Sequence, residues 1–441
     1  MQKVQHLRLA IQDDGYQRFF VELRNPEIVF KNCGSREWRD LFEEMLGIEY
    51  DAENGPLWQA RVTRMGREDE ASCQIVNGCV NHGYVLLIGF HHSITDGTSN
   101  AKFCTILLKI VNALLTTGSV PEGDEVTLAP SMWDLTSPEH MQKFRVYDPR
   151  DLLSLAKDCY NYGFNERSQY LRRFPPPKNM FHSEIRSGIV TAELTTEITT
   201  ELIRACKRKG VTVSGAFTAA AGIAIYNLIT RPEGPTPALP KGKRKFGINH
   251  AVNLRRYFDK SNQDACGCYF NFFDDHVTCD ENSLARFWEV AHEATISIHQ
   301  NVDNARGLKK QRNLDFIFNY LYPSDWYCSW RRRRALHSAN SEFSTSNLGA
   351  VDKMFNGVGT PVETIKMFRS TAMHYLPSLF TWFFQTFRGR FTGLLEFFTN
   401  FVTRQQAQDY IDETMRVLIA GIDLARLPSS TELMTSEVIA R

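Results

Sequence analysis

A surplus of charge of one sign is missing from this chain of 441 residues, in which 51 basic side chains meet 50 acidic ones for a formal net charge of +1. Such a chain has no long-range field to gather nucleic acid or an anionic membrane, so neither is an expected partner. Long apolar runs are also missing, and nothing approaches the roughly 20 apolar residues of a membrane span. The N-terminus, MQKVQHLRLAIQDDG, lacks the apolar core of a secretory signal, and the chain has no N-x-S/T sequon. Ten cysteines are scattered without a C-x-x-C pair; Cys266 and Cys268 make only C-x-C, too tight for a zinc knuckle. Free thiols, no metal and a reducing, cytoplasmic setting are therefore expected. The G-x-S-x-G elbow, the phosphate loop and the G-x-G-x-x-G fingerprint are absent, and His292, Glu293 and His299 do not make H-E-x-x-H. These absences argue against serine hydrolases of the elbow type, nucleotide-binding folds and zinc proteases, and no tightly bound cofactor is expected.

What is present is the balance of a folded protein, 43% hydrophobic and 23% charged, in a chain long enough for two lobes. The run YVLLIGFHH over 84–92 reads as a strand buried on both faces. After it, Phe103, Ile106, Leu107, Ile110 and Leu114 recur at helical spacing up to Gly118, so HHSITDG sits on a strand-to-helix turn. The three prolines in RRFPPPKNMFHSE (172–184) mark the crossover between lobes at 1–178 and 179–441. The second lobe then reads as strand (SGIVTAELT), helix closed by Gly210, and a helix of small residues (VSGAFTAAAGIAIYNLI). FGINHAVNLRRY and CYFNFFDDHVT read as strands and SLARFWEVAHEATISIHQNV as a helix. TIKMFRST, SLFTWFFQTF and FTGLLEFF read as successive strands before a last helix. The second of these has the pattern of a core strand rather than an acyl-pocket wall or membrane-docking segment. The four arginines at 331–334 read as a solvated loop.

Acyl transfer without a covalent intermediate needs a base for the incoming hydroxyl or amine, a donor for the oxyanion and a channel for both substrates. A histidine at a strand end can be that base, since imidazole titrates near neutrality. His92 is the candidate; its neighbour His91, pointing the opposite way on an extended strand, is expected to be structural. Adjacent strand residues that diverge also argue against a metal on His91, His92 and Asp96. Asp96 has two readings, a carboxylate that holds the imidazole or a brace paired with an arginine, and the brace is preferred. Gly97 lets backbone approach a ligand at the helix entry.

HHSITDG resembles the HHxxxDG signature of the chloramphenicol acetyltransferase-like superfamily. AVNLRRYF resembles its V-[DN]-x-R strand, and CGCYFN its following G-x-[FY]-x-N element, in the superfamily's order. The resemblance implies an α/β fold of two lobes, each a mixed sheet packed with helices, with an active-site tunnel between them. It implies His92 as base, Asp96 braced by Arg255, and Gly267 with Asn271 on the strand that follows. SEFSTSNLGAVD resembles the [ST]-N-x-G strand of the alcohol acetyltransferase and polyketide-associated branches, which makes Ser346 and Asn347 candidates to steady an oxyanion or acyl carbonyl. The D-F-G-W-G motif of the plant BAHD branch is absent. Because HLRLAI begins at His6, the first lobe is expected to lack one strand and one helix. The implied activity is transfer from an acyl-CoA or acyl-carrier thioester to a small-molecule alcohol or amine, by a monomer that can also engage an acyl carrier protein. The alternative is an impaired enzyme that only binds acyl thioesters.

Overall fold

The computed structural model describes residues 2–15, 17–66, 83–123, 125–144, 153, 156, 168–176, 186–316, 341–355, 359–372 and 378–426. The expected boundary at 178/179, most of the proline-rich crossover and the arginines at 331–334 lie outside the described residues.

The first lobe opens with an antiparallel hairpin, β1 (Leu9–Asp13) and β2 (Arg18–Glu22). Then come β3 (Phe30–Asn32), α1 (Trp38–Leu46), β4 (Trp58–Arg64) and β5 (Tyr84–Phe90). β4 is central, parallel to β3 and antiparallel to β5. Helix α1 covers one face of this sheet with Trp38 and Leu41 against Leu87. On the other face Phe90 packs beside Phe103, but Tyr84 and Leu86 are 56% and 47% exposed, so β5 is not the doubly buried strand that its unbroken apolar run suggests. Helix α2 (Gly97–Thr117) turns Ala101, Phe103 and Ile106 inward and ends on Gly118, whose φ of +70° suits a residue with no Cβ. Short helices follow among the described residues, including α3 (Met132–Leu135), α4 (Pro138–Phe144) and α5 (Gln169–Arg173).

The second lobe is built on β6 (Ser187–Glu193), α6 (Thr196–Arg208), α7 (Val213–Thr230), β7 (Arg244–Asn253), β8 (Phe270–Cys279), α8 (Phe287–Asp303) and α9 (Arg306–Phe316). It is completed by β9 (Ser341–Ala350), β10 (Ser378–Phe387), β11 (Arg390–Phe398) and α10 (Arg404–Leu424). The strands form one mixed sheet in the order β6-β11-β10-β9-β7-β8, with β9 parallel to both β10 and β7 and the other pairs antiparallel.

Period-two alternation divides this sheet between two cores. Phe246, Ile248, Phe343, Phe380, Trp382 and Phe384 face the helices, where α7 is buried almost all round. α7 is long and apolar enough to cross a membrane, but here the sheet, α8 and α10 enclose it. Phe383, Leu394 and Ile189 face the other way, onto Trp38 and Leu41 of α1, so the helix between the sheets joins the lobes through an apolar core. Glu43 of α1 strengthens the joint, accepting from the Ile189 N–H at 2.7 Å and from Arg404.

TIKMFRST is not a strand. β9 and β11 already occupy both edges of β10, so residues 361–372 cross the sheet without a ladder to join. Side chains take the place of one: Asn112 holds both backbone groups of Val362, and Gln385 donates to the Met367 carbonyl. SLFTWFFQTF is a core strand, with Trp382 fully buried beside the rings of Phe217 and Tyr410.

Candidate active site

The turn after β5 differs from the expected strand end in a way that matters for its histidines. β5 stops at Phe90, and residues 91–94 bend before α2 begins. His91 and His92 are separated by the turn's own bonds and not by strand alternation. The Ser93 N–H reaches His91 Nδ1 at 3.3 Å; a backbone N–H can only donate, so that nitrogen accepts, and the Ser93 hydroxyl donates to it as well at 2.7 Å. Burial, and secondarily the nearby His92, hold the His91 imidazole below its ordinary pKa, so it is neutral at pH 7. Its ring edge meets Tyr50, whose hydroxyl burial pushes up to about 12.

His92 is exposed. Its Nδ1 lies 2.8 Å from the Thr95 carbonyl. A carbonyl can only accept, so Nδ1 carries the proton and the neutral ring keeps its lone pair on Nε2. Phe270, the first residue of β8, stacks on the ring at 4.7 Å and 17°, and the Cys268 sulfur is 3.7 Å from Nδ1. Burial pushes the Cys268 thiol up to about 12, which keeps it from being a thiolate near pH 7.

Asp96 and Arg255 meet in the buried joint between the lobes. Arg255 Nη1 donates to Asp96 Oδ2 at 2.6 Å and Nη2 to Oδ1 at 3.2 Å. The same carboxylate caps α2 by accepting from the Ser99 N–H at 2.9 Å, and accepts from the Tyr269 N–H at 2.9 Å. Arg255 spends its remaining donors on the Ala265 and Gly267 carbonyls, Asn253 Oδ1 and Ser99 Oγ, and its guanidinium lies 5.0 Å from the Tyr269 ring centroid. Ser99 Oγ also exchanges two 3.0 Å bonds with the Gly267 backbone. Gly267 has a φ of +156°, and a Cβ there would stand 2.8 Å from the Tyr269 ring. The carboxylate thus ties the histidine turn and α2 to the segment leading into β8, and its bonds bypass the imidazole.

Gly97 faces the second lobe beside the turn. A Cβ there would stand 3.4 Å from Leu348 Cδ2 and 3.9 Å from Arg369 Nη1. Ser346, on the same face of β9 as Leu348, accepts from Arg369 Nη1 at 2.9 Å. Alternation separates the other two candidates from this place. Asn347 points to α7, donating to Ser214 Oγ, and its carbonyl oxygen receives the Gly349 N–H. Asn271 lies on the face of β8 opposite Phe270, buried, donating to Gln311 of α9 at 2.9 Å. Both asparagines hydrogen-bond within the second lobe, Asn271 buried and Asn347 exposed. Among the described residues no group of three His, Cys, Asp or Glu side chains is placed to hold a metal ion, and six described cysteines are free thiols.

Compared by sequence, no family model and no curated protein matches the chain. Solved structures match it by shape. The trichothecene 15-O-acetyltransferase TRI3 from Fusarium sporotrichioides superposes with a TM-score of 0.67 at 12% identity, over 95% of this chain and 83% of its own. The first condensation domain of the CDA synthetase gives 0.61 at 13%, over 96% and 86%. The epimerization domain of the third module of tyrocidine synthetase B gives 0.58 at 13%, over 96% and 85%. The chain has the chloramphenicol acetyltransferase-like fold.

Within this chloramphenicol acetyltransferase-like fold, several residues at the joint escaped sequence reading. Ser99 was legible in principle, since D-x-x-S places it third in a helix capped by Asp96. Cys268, Phe270 and Arg369 had no such signal. They reach the turn from segments 176 to 272 residues away in sequence, by tertiary packing.

Proposed function

We propose that this protein is an acyltransferase that moves an acyl group from a CoA or carrier-protein thioester to a hydroxyl or amine, with His92 as general base. One observation carries the reading: the Thr95 carbonyl accepts a hydrogen bond from Nδ1–H of an exposed imidazole, which leaves Nε2 free to accept a proton. The fold, common to an acetyltransferase and to condensation domains, supports the class of reaction. As Nε2 removes the acceptor's proton, the acceptor oxygen or nitrogen attacks the thioester carbonyl carbon. The tetrahedral intermediate then collapses, the carbon–sulfur bond breaks, and the imidazolium returns the proton to the departing thiolate. The products are an ester or amide and a free thiol, with no acyl-enzyme. The substrates meet in a tunnel between the lobes, and the Asp96–Arg255 pair keeps the turn in place while Cys268, held as a thiol, stays out of the chemistry.

The test is thiol release from acyl-CoA of varied chain length against pooled alcohols and amines. Wild type turns over and His92→Ala loses at least about 100-fold, the scale of a general base, while intact mass shows no acyl adduct. Saturable acyl-CoA binding with no turnover for any pair would leave a protein that only binds thioesters. An adduct that forms and decays at the catalytic rate would overturn direct transfer.

A further inference from the structure

Residues 361–372 cross the sheet face that looks toward the first lobe and carry two cations, Lys366, which pairs with Glu193 at 2.8 Å, and Arg369. Arg369 donates from Nε to Gln385 Oε1 at 3.2 Å, from Nη1 to Ser346 Oγ at 2.9 Å, and from Nη2 to the carbonyls of Ser346 and Phe384. Its guanidinium sits over the Phe383 ring, 5.2 Å from the centroid. Every one of these partners is neutral, and among the described residues no carboxylate pairs with it. Elsewhere the fold matches arginines to acids: Arg255 to Asp96, Arg404 to Glu43, Arg388 to Glu363. Arg173, also without an acid, is wrapped by the carbonyls of residues 231–233 and serves that loop. Arg369 instead ends near Gly97, on the helix entry that follows His92. Burial without a counter-charge pulls its pKa down to about 9, a measure of how poorly the site supports the cation on its own.

Two donors remain at this spot. Nη1 has a second hydrogen beyond the one given to Ser346, and the Ser346 hydroxyl, which accepts that bond, has its own proton to give. Two adjacent donors, one of them on a planar cation, match the two oxygens of a carboxylate. We propose that Arg369 and Ser346 form a carboxylate cradle beside the His92 turn, so that one of the two substrates carries a carboxylate. The inference rests on the acyl-transfer reading of His92. The carboxylate has two possible sources: the far end of a dicarboxylic acyl group on the thioester, or a hydroxy or amino acid acceptor.

The full chain is assayed with two matched pairs, succinyl-CoA against butyryl-CoA, and with acetyl-CoA, 4-hydroxybutyrate against 1-butanol. Thiol release and calorimetric binding are read for each. Wild type favours the carboxylate member of one pair by about tenfold or more, the scale of a charge-assisted bond, and the pair that shows it names the source. Arg369→Gln erases the ratio and Arg369→Lys keeps part of it, with thermal melting to establish that each variant folds. If Arg369→Gln does not fold, the wild-type ratio and the Arg369→Lys variant decide. Equal rates and equal binding within both pairs would overturn the cradle even if the enzyme turns over neutral substrates. No thiol release with a binding preference that Arg369→Gln removes would uphold the cradle and overturn the acyl-transfer reading.

Discussion

Asp96→Asn isolates the charge of the interlobe brace from its shape. The asparagine carbonyl still accepts the Ser99 N–H that caps α2, so the roughly 0.5–2 kcal/mol of a lost cap is avoided. What the substitution removes is the counter-charge of Arg255, which is 4% exposed against an aspartate 3% exposed, and it sets an amide donor against donors from Arg255 or Tyr269. Removing one partner of a buried pair typically costs about 3–5 kcal/mol, because the remaining charge stays desolvated. Against a total stability on the order of 5–15 kcal/mol, that is a large fraction. The loss is read by urea unfolding at pH 7 followed by tryptophan fluorescence. Arg255→Met and the double variant complete the cycle. Once both charges are gone nothing is left uncompensated, so the double variant should be at least about 1 kcal/mol more stable than the sum of the singles predicts. A cost below about 1 kcal/mol for Asp96→Asn, or strict additivity, would refute the argument that this pair braces the joint.

Two further outcomes follow from packing and burial. A Cβ on Gly215 would stand 2.0 Å from Thr295 Oγ1 and 2.8 Å from the Ala291 carbonyl of α8, so Gly215→Ala should destabilise the second lobe by about 1–3 kcal/mol, read as a lowered unfolding midpoint; an unchanged midpoint would contradict the α7–α8 contact. His250 is buried, with Nδ1 on Thr345 Oγ1 at 2.7 Å and Nε2 3.8 Å from Asp275, and burial, opposed by Asp275, pushes its pKa down to about 4. The unfolded chain takes up a proton near pH 6.5 that the folded chain refuses. His250 therefore contributes fully above that pH and costs progressively more as pH falls toward about 4, by about 3 kcal/mol in all. Thermal midpoints between pH 4 and 7 should show this slope in wild type and a shallower one in His250→Gln, and parallel slopes would rule His250 out as its source.

Most of the second lobe was legible because its elements carry strong local periodicity. α7 is a run of small and apolar residues opened by a Thr212 cap, α10 shows helical spacing behind a Thr403 capping box, and β7, β8, β10 and β11 are apolar or alternating runs of strand length. Reading failed where partner availability outweighs local preference. TIKMFRST has a strand's composition, but no free sheet edge lies beside it. YVLLIGF has the composition of a doubly buried strand, but Tyr84 and Leu86 on one of its faces are exposed.

The sequence by itself determined the turn: a histidine pair, an aspartate cap and a glycine entry are local chemistry, set by residues within one strand end and one helical turn. Tertiary structure alone decided what surrounds it. That Asp96 meets Arg255, that Phe270 stacks on His92, and that Arg369 reaches the helix entry with no acid among the described residues beside it all depend on contacts across 159 to 272 residues of chain. Such contacts are fixed by sheet order and interlobe packing, which no local period encodes.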